Sequence, residues 1–164
     1  MVVGATLIII AGYNPGGVGG APGVTLYPET SLENTITWNP TSTTTTYSIS
    51  HAESGSTFLV SASGTVMTLP PIRDELSYKF RINGALLDST NASFVVDSYE
   101  GDNIEGTLIV AGAVVDCGAE DQINASSTAE NIGDYFEVYS DGTQWLIGDS
   151  GALTAGALTC TDPD

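Results

Sequence analysis

Beyond Thr41 the chain is written in short runs of β-branched and aromatic residues, each broken after about 8 to 12 residues by Gly, Asn, Asp or Pro. That rhythm leaves room for one strand at a time, with tight turns between. Branching at Cβ crowds a helical turn but fits the pleated surface of a sheet, so Thr, Val and Ile favour strands here. No segment sustains apolar residues at helical spacing, and Ala125 to Ala129 is too short and too rich in Ser and Thr to hold a helix. The predicted class is all-β: an antiparallel sandwich or barrel of jelly-roll type.

Candidate strands are Thr45 to Ser50, Thr57 to Ser61, Thr65 to Leu69, Ser77 to Ile82, Ser93 to Ser98, Gly106 to Ala111, Tyr135 to Ser140 and Gln144 to Gly148. A weaker one, Asn34 to Trp38, lies between the turn signals Tyr27-Pro28 and Asn39-Pro40. Side chains alternate across a strand, so Phe136 and Val138 share the core face while Tyr135, Glu137 and Tyr139 face outward. Asp141-Gly142 then predicts a hairpin through a two-residue turn, with Trp145 on the returning strand.

The 164 residues suit one hydrophobic core with an added arm. Val2 to Ala11 is a continuous apolar run, and the GYNPGGVGGAPG that follows is too dense in Gly and Pro for any regular element. Residues 1–44 therefore read as an extended apolar arm on a Gly/Pro connector, and residues 45–164 as the β-domain. The run has no Lys or Arg before it and is far short of the about 20 residues that span a bilayer, so it reads as neither signal peptide nor membrane anchor.

Twenty acids against three basic residues give a net charge of -17, which disfavours nucleic acid, because a phosphate backbone must be met by clustered Lys and Arg. The three cations, Arg73, Lys79 and Arg81, fall close together, so a single basic patch stands on an otherwise acidic surface. Cys117 and Cys160 form no CxxC motif and read as small buried apolar residues, with a disulfide between them the less favoured alternative. His51 is the one histidine, and neither cysteine sits in a nucleophile motif; GxSxG, HExxH and P-loop patterns do not occur. With 20 acids some pair always meets a glycosidase spacing by accident, so none points to catalysis. The stretch Asp97 to Glu105 lacks the ligand spacing of a calcium loop and reads as a solvated turn. The expectation is a protein without enzymatic activity, metal or cofactor.

Several blocks recur in a fixed order: Tyr47-Ser48-Ile49 with Ser54-Gly55, Thr68-Leu69-Pro70-Pro71, Ser77-Tyr78-Lys79-Phe80, and Gly101-Asp102-Asn103-Ile104-Glu105-Gly106. The most specific are the last two, Gly133-Asp134-Tyr135-Phe136-Glu137-Val138 and Ser140-Asp141-Gly142-Thr143-Gln144-Trp145. From about Thr45 to Thr159 this series resembles a β-domain of tailed-phage virion surface proteins, including capsid decoration proteins and head or tail fibres.

The resemblance implies a homotrimer and, for a chain this short, a capsid decoration (cement) protein on the outer surface of the head, with the major capsid protein as partner. Under that reading the residues expected to meet the capsid are Val2, Val3, Leu7, Ile8, Ile9 and Ile10 of the arm and Arg73, Lys79 and Arg81 of the basic patch. The alternative is a short head or tail fibre or receptor-binding knob recognising a host surface glycan through loops at Asp97 to Asp102 and Asp116 to Ser127. A carbohydrate-active enzyme on the same scaffold ranks below both.

Overall fold

A computed structural model of the chain describes residues 34–38, 45–61, 64–84, 86, 93–99 and 102–163. They belong to the second of two compact units, Glu33–Asp164, and the expected arm at residues 2–10 lies outside them. Twelve strands form among the described residues: β1 (Asn34–Trp38), β2 (Thr45–Ser48), β3 (Ser56–Val60), β4 (Thr65–Thr68), β5 (Ser77–Ile82), β6 (Phe94–Asp97), β7 (Ile104–Val110), β8 (Ala113–Glu120), β9 (Gln122–Ala125), β10 (Tyr135–Ser140), β11 (Trp145–Gly151) and β12 (Leu158–Thr161). The one helical piece among the described residues is a single 3₁₀ turn, His51–Glu53.

The protein is an all-β sandwich, as expected, but it is neither a closed barrel nor antiparallel throughout. One sheet has the order β1-β3-β5-β10-β11-β7-β8 and the other β12-β9-β6-β4-β2. Up to β6 the chain alternates between the sheets, so each returning strand lies parallel to the one before it: β1, β3 and β5 on one side, β2, β4 and β6 on the other. Asn34 stands beside Ser56 and Ser56 beside Tyr78, an offset of 22 residues both times. A parallel pair needs a crossover rather than a hairpin, and here the crossover is itself a strand of the opposite sheet. From β7 onward hairpins dominate, as in β7–β8 and β10–β11. Short strands and frequent turns serve both connections, which is why the sequence rhythm alone led to an antiparallel expectation.

Alternation places one face of every central strand in the core. On β5 Tyr78, Phe80 and Ile82 point inward, and on β10 Phe136 and Val138 do so, as expected. The centre is a run of aromatic rings: Phe58 stacks on Phe80 at 5.4 Å and Phe80 on Phe136 at 5.1 Å, while Phe94 reaches Phe80 from the opposite sheet at 6.0 Å. Trp145 and Tyr78 meet at 5.8 Å beside them. Burying each such side chain stabilises the fold by about 1.5–3 kcal/mol, and Phe94 is the member that ties the run to the opposite sheet.

Two local expectations need correction. The β10–β11 hairpin forms, but its loop spans the four residues between Ser140 and Trp145 rather than two. The Asp141 carboxylate accepts hydrogen bonds from Thr143 N, Thr143 Oγ1 and Gln144 N at 2.8, 2.7 and 3.1 Å, and Gly142 takes φ of 89°. Those bonds hold the Asp141 carboxyl below its ordinary range. The second correction concerns the cysteines: Cys117 on β8 and Cys160 on β12 form a disulfide, with Cα atoms 5.6 Å apart, that staples the two sheets together along one side.

Candidate functional site

Outward side chains of the longer sheet gather on its inner strands β3, β5, β10 and β11. Lys79 lies opposite Glu137 and Arg81 opposite Tyr135 in the β5–β10 ladder, with Thr57 beside Lys79 from β3. On the other flank Tyr135 faces Gly151 of β11. Between the pairs Phe136–Ser150 and Val138–Ile147 the register slips, so that Gly148 and Asp149 together oppose Glu137. A bulge of this kind re-aims a side chain, and here it turns Asp149 toward Tyr135, whose Oη donates to Asp149 Oδ2 at 3.1 Å. Thr57, Lys79, Arg81, Tyr135 and Asp149 line a cleft of about 390 Å³.

Its lining carries two cations, Lys79 and Arg81, and one carboxylate, Asp149. Lys79 Nζ lies 4.0 Å from Glu137 Oε2 and 5.6 Å from the centre of the Tyr135 ring. At such half-exposed positions the ion pair contributes little to stability, and the chief effect is to orient the groups. The hydrogen bond to Asp149 raises the Tyr135 phenol above its ordinary range, with burial adding to it. Glycines set the ring positions: a Cβ on Gly151 would lie 3.0 Å from Tyr135 Cε1, and one on Gly148 would lie 3.5 Å from Tyr139 Cδ1. Both tyrosines thus rest against bare backbone of β11.

Of the residues singled out from sequence, Lys79 and Arg81 come together in this cleft, whereas Arg73 is exposed on the turn before β5 and does not line it. Val2, Val3, Leu7, Ile8, Ile9 and Ile10 lie outside the described residues. Tyr135 was legible as outward-facing, but its grouping with Lys79, Arg81 and Asp149 depends on sheet order and on the bulge, neither of which leaves a pattern in the sequence. The stretch Asp116 to Ser127, expected as an exposed loop, is mostly β8 and β9. In the other expected loop, Asp97 accepts from Gln122 Nε2 at 2.7 Å and Asp102 from Ile72 N at 3.3 Å, so these acids hold the fold's own donors. Among the described residues no group of three His, Cys, Asp or Glu is placed to hold a metal ion. His51 Nε2 donates to the Pro71 carbonyl at 2.9 Å on the surface.

A second feature adjoins the cleft. Ile109 of β7 and Val114 of β8 stand directly across from each other, facing solvent. Beside them Ala111 N donates to Ala152 O at 2.8 Å and Ala152 N to Ile109 O at 3.1 Å, which brings the β11 end and Leu153 to the same place. The buried Asp134 carboxylate accepts from Leu153 N at 3.0 Å and Asn131 N at 2.8 Å, tying in the turn that carries Ile132. Ile109, Val114, Ile132 and Leu153 are 43% to 75% exposed, and they are four of the six large apolar side chains so exposed among the described residues. Four exposed apolar side chains thus lie on elements joined at one end of the sandwich, on a strongly acidic chain.

No protein-family model matches the chain, and no curated protein matches it.

Proposed function

We propose that the chain is a non-enzymatic structural protein of a phage particle: a capsid decoration protein that binds the outer surface of the assembled head as a homotrimer and stabilises it. The observation that carries the reading is the apolar end formed by Ile109, Val114, Ile132 and Leu153. Copies of a chain with net charge -17 repel one another and other acidic surfaces, so a contact must come from apolar burial. Four such side chains, already partly buried, gain at most about 1.5–3 kcal/mol each, which at best offsets the about 4–15 kcal/mol cost of association. Three linked copies engaging together convert that marginal contact into firm binding, which is the physical argument for a trimer on a repeating lattice. The ordered blocks from Thr45 to Thr159, which resemble a β-domain of tailed-phage virion surface proteins, support the same reading. The staple between Cys117 and Cys160 suits a protein that works outside a reducing cytosol.

The test is to add the purified protein to heads that lack it and measure co-sedimentation and the temperature at which heads release DNA. Binding with raised head stability, lost in Ile132→Glu with Leu153→Glu, supports the proposal; heads that neither bind the protein nor gain stability refute it. The second reading, a receptor-binding knob that recognises a host glycan, is favoured by the cleft rather than by the apolar end.

A further inference from the structure

Apolar burial gives a contact its affinity, but on a chain with 20 acids the placement of the few cations decides which surfaces of two copies can meet. Arg73, Lys79 and Arg81 are the whole cationic complement, and two of the three line one cleft of about 390 Å³. The two are not equivalent. Lys79 Nζ lies 4.0 Å from Glu137 Oε2, the one ion pair among the described residues. Arg81 is exposed and has no carboxylate within ion-pair distance among those residues. Asp149, the one carboxylate of the lining, is turned toward the Tyr135 hydroxyl and accepts from it at 3.1 Å.

An unpaired guanidinium selects its partner by shape as well as by charge. Its planar fork of N–H donors matches a carboxylate through two parallel hydrogen bonds. Thr57, beside Lys79 in the ladder, adds a hydroxyl donor. The cleft therefore favours an acidic group, and its volume, at the small end of ligand pockets, suits a side chain.

The chain itself supplies such groups. Glu75, in the turn before β5, and Asp116, on the edge strand β8, are exposed, and their carboxylates bond to no described residue. Cleft against cleft would set like charges together. Cleft against one of these acids joins two different patches, the head-to-tail contact from which a closed ring of three is built.

We propose that the cleft of Thr57, Lys79 and Arg81 is the receiving half of the contact between copies of this chain, taking an exposed carboxylate of the next copy onto Arg81 and Lys79. The inference rests on the trimer of the reading above, and it assigns Lys79 and Arg81 to a second copy rather than to the capsid.

The experiment uses the full-length protein and the fact that Lys79 is its single lysine. A carbodiimide joins an amine to a carboxylate as an amide and takes up the water released, so apart from the amino terminus it reports on this cleft alone. Mixed unlabelled and isotope-labelled protein is cross-linked, separated on a denaturing gel and mapped by mass spectrometry. Self-association is measured by sedimentation for the parent, Lys79→Arg, Arg81→Glu and Arg73→Glu. The expected result is dimer and trimer bands in which Lys79 of one copy is joined to an acidic residue of another. Lys79→Arg should lose those bands and keep the trimer. Arg81→Glu should weaken self-association about tenfold or more, because it sets like charges together in the contact. Arg73→Glu changes the net charge equally but lies off the cleft, so it should change self-association by under about threefold. Both arginines are exposed, so both variants should fold, which circular dichroism checks. Unchanged self-association in Arg81→Glu, an equal loss in Arg73→Glu, or Lys79 cross-links confined to one chain would overturn the inference while head binding, followed by co-sedimentation, stands. A monomeric parent would overturn it together with the trimer. An Arg81-dependent trimer that leaves heads unbound would uphold it and refute the decoration reading instead.

Discussion

Removing the staple between Cys117 and Cys160 should lower stability chiefly through the unfolded chain. The bond closes a loop of sequence separation 43 and joins the edge strands β8 and β12 of opposite sheets. Loop closure of that length withholds about 13 cal/mol/K from the unfolded ensemble, or about 4 kcal/mol at 25 °C. For a sandwich of roughly 130 residues, with about 2.1 cal/mol/K of unfolding entropy per residue, this corresponds to a fall of about 15 °C in Tm. The perturbation is the double variant Cys117→Ala with Cys160→Ala, compared with the oxidised parent by calorimetry and urea titration, the bond being confirmed by mass spectrometry. Each single variant should lose nearly as much as the double, because either change removes the whole cross-link. The urea m-value should rise as well, since an unfolded chain freed of the loop exposes more surface. A Tm loss of under about 4 °C with an unchanged m-value would refute the entropic reasoning.

Phe80→Ala should cost about 3–5 kcal/mol in urea titration, because Phe80 touches Phe58, Phe94 and Phe136 across both sheets; a loss of under about 1.5 kcal/mol would show the site collapsing to fill the void. Asp134→Ala leaves the Asn131 and Leu153 amides without their acceptor and should cost about 2–4 kcal/mol, while raising hydrogen exchange at those two amides above that of β10. Burial pushes the Tyr78 phenol up to about 12, and burial with the hydrogen bond to Glu53 does the same to Tyr47. Their unfolded values lie at about 10, so the unfolded state ionises first; stability should be full below pH 10 and fall as pH rises toward 12. Tyr78→Phe should flatten that fall, and an identical slope in the variant would contradict the assignment.

The parts of the fold legible in the sequence were those fixed by local chemistry. The bounds of β1, β5 and β10 matched their candidate runs, and the alternation in Tyr135-Phe136-Glu137-Val138-Tyr139 correctly divided core from surface. Three strands were missed: β8 carries Asp116 and Gly118 and does not alternate, whereas β9 and β12 alternate over only four residues each, too short a pattern to stand out from a loop. They are strands because neighbours supply their ladders, and β8 and β12 are edge strands anchored by a disulfide. The parallel pairing of β1, β3 and β5 was hidden because alternation says which face a residue occupies and nothing about which strand lies beside it. Lys79 and Arg81 drew attention as charges close in sequence, and they are two residues apart on one strand face. Tyr135 and Asp149 join them only through the β5–β10–β11 order and the bulge at Gly148 and Asp149, and the apolar end likewise assembles from three separate turns and hairpins.

The central claim, a trimeric surface protein that docks on the head through its apolar end, is tested most directly by the solution mass of the full-length protein by light scattering, for the parent and for Ile132→Glu with Leu153→Glu. The account predicts three times the 16.9 kDa of one chain for both, the variant keeping its trimer while losing head binding in co-sedimentation. A parent protein that stays at 16.9 kDa at every concentration would contradict it.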